Sequence, residues 1–195
     1  FRSLPGRYNF YFLRHGESLG NDAGILQGRQ DYELSARGME QARQAAQWFA
    51  DKRIERVLSS PLLRGRQTAE LLAPALGVQT IEEHEGLNEL DIGVFTGLTV
   101  EQARRQYPAA WRRFQRRSWQ AVPRAERVAS LVRRAESLWG RLEELGHAGC
   151  QNVLCVKPLV LNAAQAEEIE HKAQKRALMV AVEYHKRFDD RSHMA

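Results

Sequence analysis

Strand-like and helix-like segments alternate in the first part of the chain, and this alternation restricts the fold more than any other feature. An apolar strand is predicted over residues 8–13 and a short second strand over residues 56–59. Ser35 stands where a helix N-cap is expected, before apolar residues at helical spacing. Pro61 stands where a second helix can begin, and Gly77 where it can end. This order of strand, helix, strand and helix predicts an α/β fold.

Helical sequence dominates the middle of the chain. The pattern favours a short strand over residues 79–83, followed by helices over residues 99–145 that two prolines interrupt. A compact apolar run over residues 152–156 predicts a buried strand. Loops at the ends of such strands usually carry functional sites, and the loop over residues 85–97, rich in acids and glycines, is a candidate.

Composition indicates a soluble globular protein. A length of 195 residues with 43% hydrophobic and 27% charged residues is typical of one domain, which we expect to span residues 1–195. No run approaches the roughly eighteen apolar residues of a membrane span, and the N-terminal segment lacks the pattern of a secretory signal. Cys150 and Cys155 are poorly spaced for a disulfide or a zinc site. We therefore expect a cytoplasmic protein that does not associate with membranes.

The net charge of +5 is concentrated in one arginine-rich stretch. Its arginines are Arg104, Arg105, Arg112, Arg113, Arg116, Arg117, Arg124, Arg127, Arg133, Arg134 and Arg141. Such charge runs usually form a solvated helical face, here paired with Glu101, Glu126, Glu136, Glu143 and Glu144. Nucleic acid is disfavoured as a partner, because the stretch has no nucleic-acid motif and its aromatic residues are typical of buried anchors. These anchors are Trp111, Phe114, Trp119 and Trp139.

The first predicted strand runs directly into Arg14, His15 and Gly16. A histidine beside an arginine, with a glycine that lets backbone approach a ligand closely, is suited to nucleophilic attack on a phosphate. The guanidinium would bind phosphate oxygens, and the imidazole would attack through one ring nitrogen while the other donates to a carbonyl. The competing interpretation is a histidine that is only packed in the core.

Four ordered segments resemble the histidine phosphatase superfamily, which includes the phosphoglycerate mutases. The segments are Leu13-Arg14-His15-Gly16-Glu17-Ser18 with Asn21; Gln27-Gly28-Arg29 with Asp31, Leu34, Ser35 and Gly38; Ser59-Ser60-Pro61-Leu62-Leu63-Arg64 with Gln67-Thr68-Ala69; and Asn88-Glu89-Leu90-Asp91-Ile92-Gly93 with Phe95, Gly97 and Thr99. The resemblance covers residues 8–156. Several blocks in this order and at these spacings argue against a chance match.

The resemblance implies a phosphoglycerate mutase-like fold, a three-layer αβα sandwich with a mainly parallel central sheet. It also implies phosphoryl transfer through a phosphohistidine, with no metal and no other cofactor. The implied roles are nucleophile for His15, general acid and base for Glu89, phosphate ligands for Arg14, Asn21 and Arg64, and substrate contacts for Gln27 and Gly28. The competing candidates are Glu82, Glu83, Glu85 and Asp91 for the acid, and Arg66 for the phosphate ligand.

The chain departs from the family after its last predicted strand. The superfamily continues there with Ser or Thr, then His and Gly, and this second histidine faces the nucleophile across the phosphate. Here Lys157 and Pro158 follow, so proline occupies the place of histidine. Loss of one preorganised donor typically costs about 100- to 1000-fold in rate. Lys157 could substitute in part as a point charge if its side chain turned inward.

Residues 157–195 are predicted to form a divergent helical tail. An apolar stripe at helical spacing supports this prediction, consisting of Ile169, Ala173, Ala177, Ala181, Tyr184 and Phe188. The strand-like runs that usually close this fold are not evident here. Divergence, an engineered segment or a shifted reading frame would each explain the abrupt change.

The sequence therefore predicts a hydrolase of phosphomonoesters that acts on a small phosphorylated metabolite. A phosphoglycerate-type mutase is the nearest alternative, although the short passage between Gly97 and Pro123 favours a phosphatase. An alternative of another class is a catalytically impaired protein that binds phosphate-bearing ligands. Selectivity is expected to depend on residues 27–29 and 112–117, and the sequence specifies neither the substrate nor an oligomeric state.

Overall fold

The computed structural model describes residues 8–115, 119–157 and 179–183, the last range by its backbone. The strands are β1 (Asn9–Arg14), β2 (Ile25–Leu26), β3 (Arg56–Ser59), β4 (Ile81–Glu83), β5 (Leu98–Thr99), β6 (Asn152–Lys157) and β7 (Met179–Glu183). The helices are α1 (Leu19–Asp22), α2 (Ala36–Phe49), α3 (Leu63–Leu72), α4 (Val100–Gln106), α5 (Pro108–Gln115) and α6 (Val128–His147). Within these ranges no helix has the length and apolar character needed to cross a membrane.

Five strands form one sheet in the order β4, β3, β6, β1, β7, and each neighbouring pair is parallel. β2 and β5 form a separate antiparallel pair. Parallel neighbours require crossover connections, and the helices of these connections cover both faces of the sheet. The predicted α/β class, with a mainly parallel central sheet between helical layers, is confirmed.

Strand β6 shows how the sheet is held between the two layers. Leu154 and Val156 pack in the cluster that contains side chains of α2 and α3, whereas Val153 and Cys155 pack in the cluster that contains side chains of α6. The side chains alternate between faces because a strand has a period of two residues. All four are fully buried, and burial of an apolar side chain of this size contributes about 1.5 to 3 kcal/mol. The strand is thereby fixed from both sides up to its carboxyl end.

Three of the aromatic residues predicted as buried anchors pack against the hydrophobic clusters but are only partly buried. Helices α4 and α5 pack around Phe95 in a third cluster. The ring centroids of Trp111 and Phe114 lie 5.8 and 5.4 Å from that of Phe95. In α6, Trp139 stands edge-on against Phe10, with 5.8 Å between the centroids.

The arginine-rich stretch is in large part a solvated face, as predicted. Arg104, Arg105, Arg112, Arg113 and Arg133 are exposed. Arg141 pairs with Glu144 of the next helical turn at 3.0 Å, and also with Glu82 of β4 at 2.7 Å. Arg134 differs from these residues, because its side chain is turned into the protein, where it contributes to the site described below.

The structure corrects the prediction for the end of the chain. Met179–Glu183 form β7, which lies parallel to β1 at the edge of the sheet. The helical stripe predicted through Ala181 is therefore wrong at this point, and a strand does close the sheet. Val180 and Val182 are β-branched and favour a strand where a sheet edge is available for pairing. Pairing with β1 is a tertiary effect that residue spacing cannot reveal. The other residues of the stripe lie outside the described ranges.

Candidate active site

The carboxyl ends of β1, β3 and β6 lie side by side at one edge of the sheet. β1 ends at Arg14, in register with Lys157 at the end of β6, and β3 ends at Ser59 beside Val156. His15 follows β1 directly, and its backbone N–H donates to the carbonyl of Lys157 at 3.2 Å. In open parallel sheets, ligands bind outside the carboxyl ends of the strands. This edge is therefore the candidate active site.

The ring of His15 is buried, and both of its nitrogens have a hydrogen-bond partner. Nδ1 lies 2.6 Å from the carbonyl oxygen of Gly16, and Nε2 lies 3.2 Å from Nε of Arg64. A carbonyl can only accept and a guanidinium N–H can only donate, so both contacts are satisfied when Nδ1 carries the proton. Nε2 then keeps its lone pair, as a nucleophilic imidazole requires.

Arg64 is held in place from within α3. Its side chain is 1% exposed, and its Nη1 and Nη2 donate to the carbonyls of Gln30 and Gly28 at 2.9 and 2.7 Å. Nε donates to His15, so each of the three guanidinium nitrogens makes a hydrogen bond within the protein. A lysine could not make this set of contacts, because it lacks the planar fork.

Charged residues surround the Arg64 guanidinium. Burial lowers its pKa, the negative charges of Glu89 and Asp31 act in the opposite direction, and the positive charge of Arg14 lowers it further. These interactions bring Arg14 and Glu89 into electrostatic reach of one buried group. The structure thus gathers the predicted nucleophile, two predicted phosphate ligands and the predicted acid at one sheet edge.

Close backbone contacts fix the loop that carries His15. The N–H of Gly16 donates to Oγ1 of Thr68 at 3.0 Å, and the same hydroxyl donates to the carbonyl of Arg64 at 2.7 Å. Gly16 and Gly38 leave no room for a side chain, because a Cβ on Gly16 would collide with the carbonyl of Gly38, and one on Gly38 with that of Glu17. The loop therefore rests directly on the first turn of α2.

Asn21 and Gln27 support the same loop through Ser18. Oδ1 of Asn21 accepts from the backbone N–H of Ser18 at 3.1 Å and lies 2.9 Å from the Ser18 hydroxyl, whose single proton can serve only one acceptor at a time. Oε1 of the buried Gln27 lies 2.7 Å from the same hydroxyl. The amide oxygens are thus occupied by the cap of α1, which leaves the NH₂ groups as the donors for an anion. The backbone of Gly28 has a φ of 51°, a left-handed conformation that glycine adopts at little cost.

The candidate acid, Glu89, lies in the loop between β4 and β5. Its Oε1 accepts from the N–H of Leu90 at 2.8 Å. Against the effect of burial, its negative charge raises the pKa of Arg64 and that of Lys157. This carboxylate therefore lies within electrostatic reach of both cations.

The competing candidates are engaged elsewhere. Glu82 pairs with Arg141 at 2.7 Å, and Glu83 pairs with Arg66 at 3.6 Å. Asp91 accepts from the N–H of Gly93 at 2.8 Å, and Glu85 accepts from the side chain of Asn88. Arg66 is itself 44% exposed on the outer side of α3. Among the candidate acids and arginines, Glu89 and Arg64 are thus the pair whose charges interact at this site.

Three residues hold the Glu89 loop, defined here as residues 86–91. The sequence linked Arg29 only to selectivity and assigned neither Glu126 nor Arg134 to the site. Nε of Arg29 donates to the carbonyl of Glu89 at 3.1 Å, and Nη2 donates to Glu126 at 2.8 Å. Nε and Nη2 of Arg134 donate to the two carboxylate oxygens of Glu126, at 2.8 and 2.9 Å. Glu126 was predicted only as one partner of a solvated arginine face. No local pattern marks its role, because its partners lie 97 and 8 residues away along the chain.

Burial and charge oppose each other at Glu126. Burial raises the pKa of this carboxyl group, but the hydrogen bonds and charge of Arg134 and the charge of Arg29 outweigh that effect, so the pKa lies below its ordinary value. Its side chain is 3% exposed. Glu126 is therefore an ionised carboxylate between two cations.

Lys157 ends β6, on the side of the sheet that α6 covers. Burial lowers the pKa of its ammonium group, the charge of Glu89 raises it, and the charge of Arg134 lowers it. The side chain thus lies within electrostatic reach of the Glu89 loop. Pro158, which the sequence predicts at the place of the second histidine, lies outside the described ranges. Over those ranges, no three His, Cys, Asp or Glu side chains are grouped closely enough to hold a metal ion.

A sequence model of the histidine phosphatase superfamily (branch 1) matches residues 10–184. The chain belongs to this superfamily. Phosphoserine phosphatase 1 of Hydrogenobacter thermophilus is 37% identical over 102 residues, which are 52% of this chain and 48% of that protein. The probable phosphoglycerate mutase GpmB of Erwinia tasmaniensis is 42% identical over 84 residues, 43% of this chain and 39% of that protein. The matched regions thus cover half or less of these curated relatives.

Solved structures of phosphatases and of a mutase share the fold. A putative α-ribazole-5'-P phosphatase from Escherichia coli has a TM-score of 0.68 and 25% identity, over 78% of this chain and 74% of its own. A mycobacterial glucosyl-3-phosphoglycerate phosphatase, solved in complex with VO3, has a TM-score of 0.64 and 28% identity, over 75% and 73%. The phosphoglycerate mutase of Bacillus anthracis has a TM-score of 0.72 over 93% of this chain and 87% of its own, and at 22% identity it shows the fold alone. The superfamily assignment therefore includes both phosphatase and mutase relatives.

Proposed function

We propose that this histidine phosphatase is a metal-independent hydrolase of phosphomonoesters that forms a phosphohistidine on His15. The observation that carries this proposal is the pairing of the imidazole. Nδ1 is fixed by a carbonyl, and the lone pair of Nε2 points toward the phosphate-binding cation Arg64. A phosphate that binds Arg64 is thereby brought next to the nucleophilic nitrogen.

The first step transfers the phosphoryl group to the enzyme. When phosphate binds, Nε of Arg64 donates to a phosphoryl oxygen instead of to Nε2 of His15. The released Nε2 lone pair forms a bond to phosphorus while the bond from phosphorus to the ester oxygen breaks. Glu89 gives its proton to the departing alkoxide. Arg64 and Arg14 neutralise charge on the phosphoryl oxygens, and Asn21 adds a neutral donor, because phosphoryl transfer depends mostly on positioning and electrostatics.

The second step regenerates the enzyme. Glu89, now a carboxylate, takes a proton from water as the water oxygen attacks phosphorus and the bond to Nε2 breaks. Inorganic phosphate leaves, and both groups return to their starting protonation states. Hydrolysis of a small phosphorylated metabolite balances without a metal or an external reductant or oxidant.

One specific observation favours a second candidate, a phosphate-ligand binding protein with impaired turnover. Lysine stands at the end of β6, and proline follows it at the position where the resemblance predicts the second histidine. The charge of Glu89 acts on Lys157, but an ammonium group does not reproduce the fixed donor of an imidazole. The mutase alternative rests on the names of relatives such as GpmB. Both cysteines are buried thiols, which fits the cytoplasmic location that the sequence predicts.

A trapping experiment tests the proposal. The chain is mixed with 4-nitrophenyl phosphate in the presence of a metal chelator and quenched, and acid-labile, base-stable phosphate is located by peptide mapping. We expect label on His15 and release of phosphate, and we expect neither in His15→Ala. His147→Ala is the matched control, because this histidine is exposed at the end of α6.

The possible outcomes separate the candidates. Label on another residue, or unchanged turnover in His15→Ala, would overturn the mechanism. Phosphate binding that Arg14→Ala abolishes, without labelling or turnover, would establish the binding protein instead. Transfer of the label to a second hydroxyl of a phosphoglycerate, faster than to water, would establish a mutase.

A further inference from the structure

The loop that carries Glu89 is held by charged side chains that do not themselves reach the reacting atoms. Nη1 of Arg134 donates to the carbonyls of Asn88 and Gly86, at 2.7 and 3.2 Å. Nε of Arg29 donates to the carbonyl of Glu89 at 3.1 Å. Two arginines therefore hold the loop at three backbone carbonyls, those of Gly86, Asn88 and Glu89.

Glu126 connects these two arginines. It accepts two bonds from Arg134 and one from Arg29, and its own backbone N–H donates to the carbonyl of Asp91 at 2.8 Å. Its backbone carbonyl accepts from Nε1 of Trp119 at 3.0 Å. Because Glu126 is buried and charged, it fixes the orientation of both guanidinium groups. In this orientation their remaining N–H groups donate to the carbonyls of the Glu89 loop.

We propose that Glu126 is a positioning residue for proton transfer, which acts through Arg29 and Arg134 to hold Glu89 against the leaving oxygen. The inference rests on the proposed function, since it takes Glu89 as the general acid. It assigns to residues 29, 126 and 134 a role in the chemistry, in addition to any contribution to folding.

The dependence of rate on the leaving group reveals such a role. A 4-nitrophenolate departs without protonation, whereas an alkoxide such as that of glycerol needs a proton from the acid. A misplaced acid therefore slows alkyl phosphates more than aryl phosphates. A purely structural defect lowers the amount of folded enzyme and slows both substrates equally.

The experiment measures kcat/KM for glycerol 2-phosphate and for 4-nitrophenyl phosphate in Glu126→Gln. We expect kcat/KM to fall about tenfold more for the alkyl substrate than for the aryl substrate. This loss is smaller than the loss that complete removal of a general acid causes. Glu136→Gln is the matched control, because it makes the same change at an exposed position of α6. Arg134→Lys is a second variant that keeps the charge and loses the two parallel bonds, and it decides the question if Glu126→Gln does not fold.

Glu89→Gln separates failure of this inference from failure of the proposed function. A strong loss for the alkyl substrate in Glu89→Gln, together with equal losses for both substrates in Glu126→Gln and Arg134→Lys, would overturn the positioning role alone. Equal losses for both substrates in Glu89→Gln would overturn the general-acid assignment and the inference with it. Absence of turnover in the unaltered chain would overturn both.

Discussion

The two sides of the active site are held by different kinds of interaction. On the phosphate side, His15 and Arg64 are buried, and backbone carbonyls and close glycine contacts fix them. On the proton side, the Glu89 loop is fixed by long side chains that meet at Glu126. One site thus combines a cradle that backbone and steric contacts fix with a loop that buried ion pairs support.

This difference has physical consequences. Backbone contacts and steric exclusion do not depend on pH or salt, whereas an ion pair requires both partners to be charged. Breaking a buried ion pair also leaves a desolvated charge, which makes it more costly than losing an exposed pair. The two sides should therefore respond to different perturbations.

The largest effect is expected from Arg64→Met, which removes the cation from the phosphate side. We expect kcat/KM to fall by about 100- to 1000-fold, the usual cost of losing one preorganised donor. Arg66→Met is the matched control, because Arg66 lies two residues further along α3 and is 44% exposed. Steady-state kinetics of both variants check this prediction, and similar losses in the two variants would show that Arg64 is not the special member of the pair.

The next effect is expected on the proton side, from Arg134→Met. This change removes one of the two cations that pair with the buried carboxylate of Glu126 in the part of the chain that the structure describes, and it removes the Arg134 donor from two loop carbonyls. We expect the free energy of unfolding to fall by about 3 kcal/mol. Arg133→Met, at the exposed neighbouring position, should change it by less than about 0.5 kcal/mol. Urea denaturation measures both values, and a loss below 1 kcal/mol in Arg134→Met would argue that the network does not hold the loop.

Glycine substitutions probe the steric contacts of the phosphate side. Gly38→Ala would push a methyl group into the backbone of Glu17, and we expect a cost of about 2 kcal/mol. Gly140→Ala makes the same change within α6, where no atom lies near the added carbon, and it should instead stabilise the protein by up to about 1 kcal/mol. If the contact at Gly38 is as close as the structure shows, the melting temperature falls in Gly38→Ala and rises in Gly140→Ala.

The smallest effect is a difference in acid sensitivity. The arginines hold the pKa of Glu126 below its ordinary value, although burial alone would raise it. Its contribution to stability is therefore complete above the unfolded-state pKa and is lost as the pH falls through the lower folded-state pKa. Glu126→Gln should be less stable than the unaltered chain near pH 7, and the gap should narrow on acidification. A gap that widens toward low pH in urea titrations would mean that the carboxylate is not held ionised.

The contrast also explains which parts of the protein the sequence could predict. Local patterns and ordered motifs predict the strand before His15, the helix that carries Arg64 and the parallel sheet. The sequence does not predict the role of Glu126, because a buried ion pair between distant residues has the same composition as a solvated charge run. Strand β7 was missed for a related reason. Its preference for a strand over a helix depends on pairing with β1, which the sequence order does not show.

Hydrogen exchange measured separately for residues 14–18 and 86–91 tests the division of the site most directly. Amides in the first segment bond to Lys157, Thr68 and Gln41, and those in the second bond within the Glu89 loop and the turn before it. In Glu126→Gln, with Glu136→Gln as control, exchange of residues 86–91 should rise by about tenfold while residues 14–18 remain unchanged. An equal rise in both segments, or no rise in residues 86–91, would contradict the conclusion that different interactions hold the two sides.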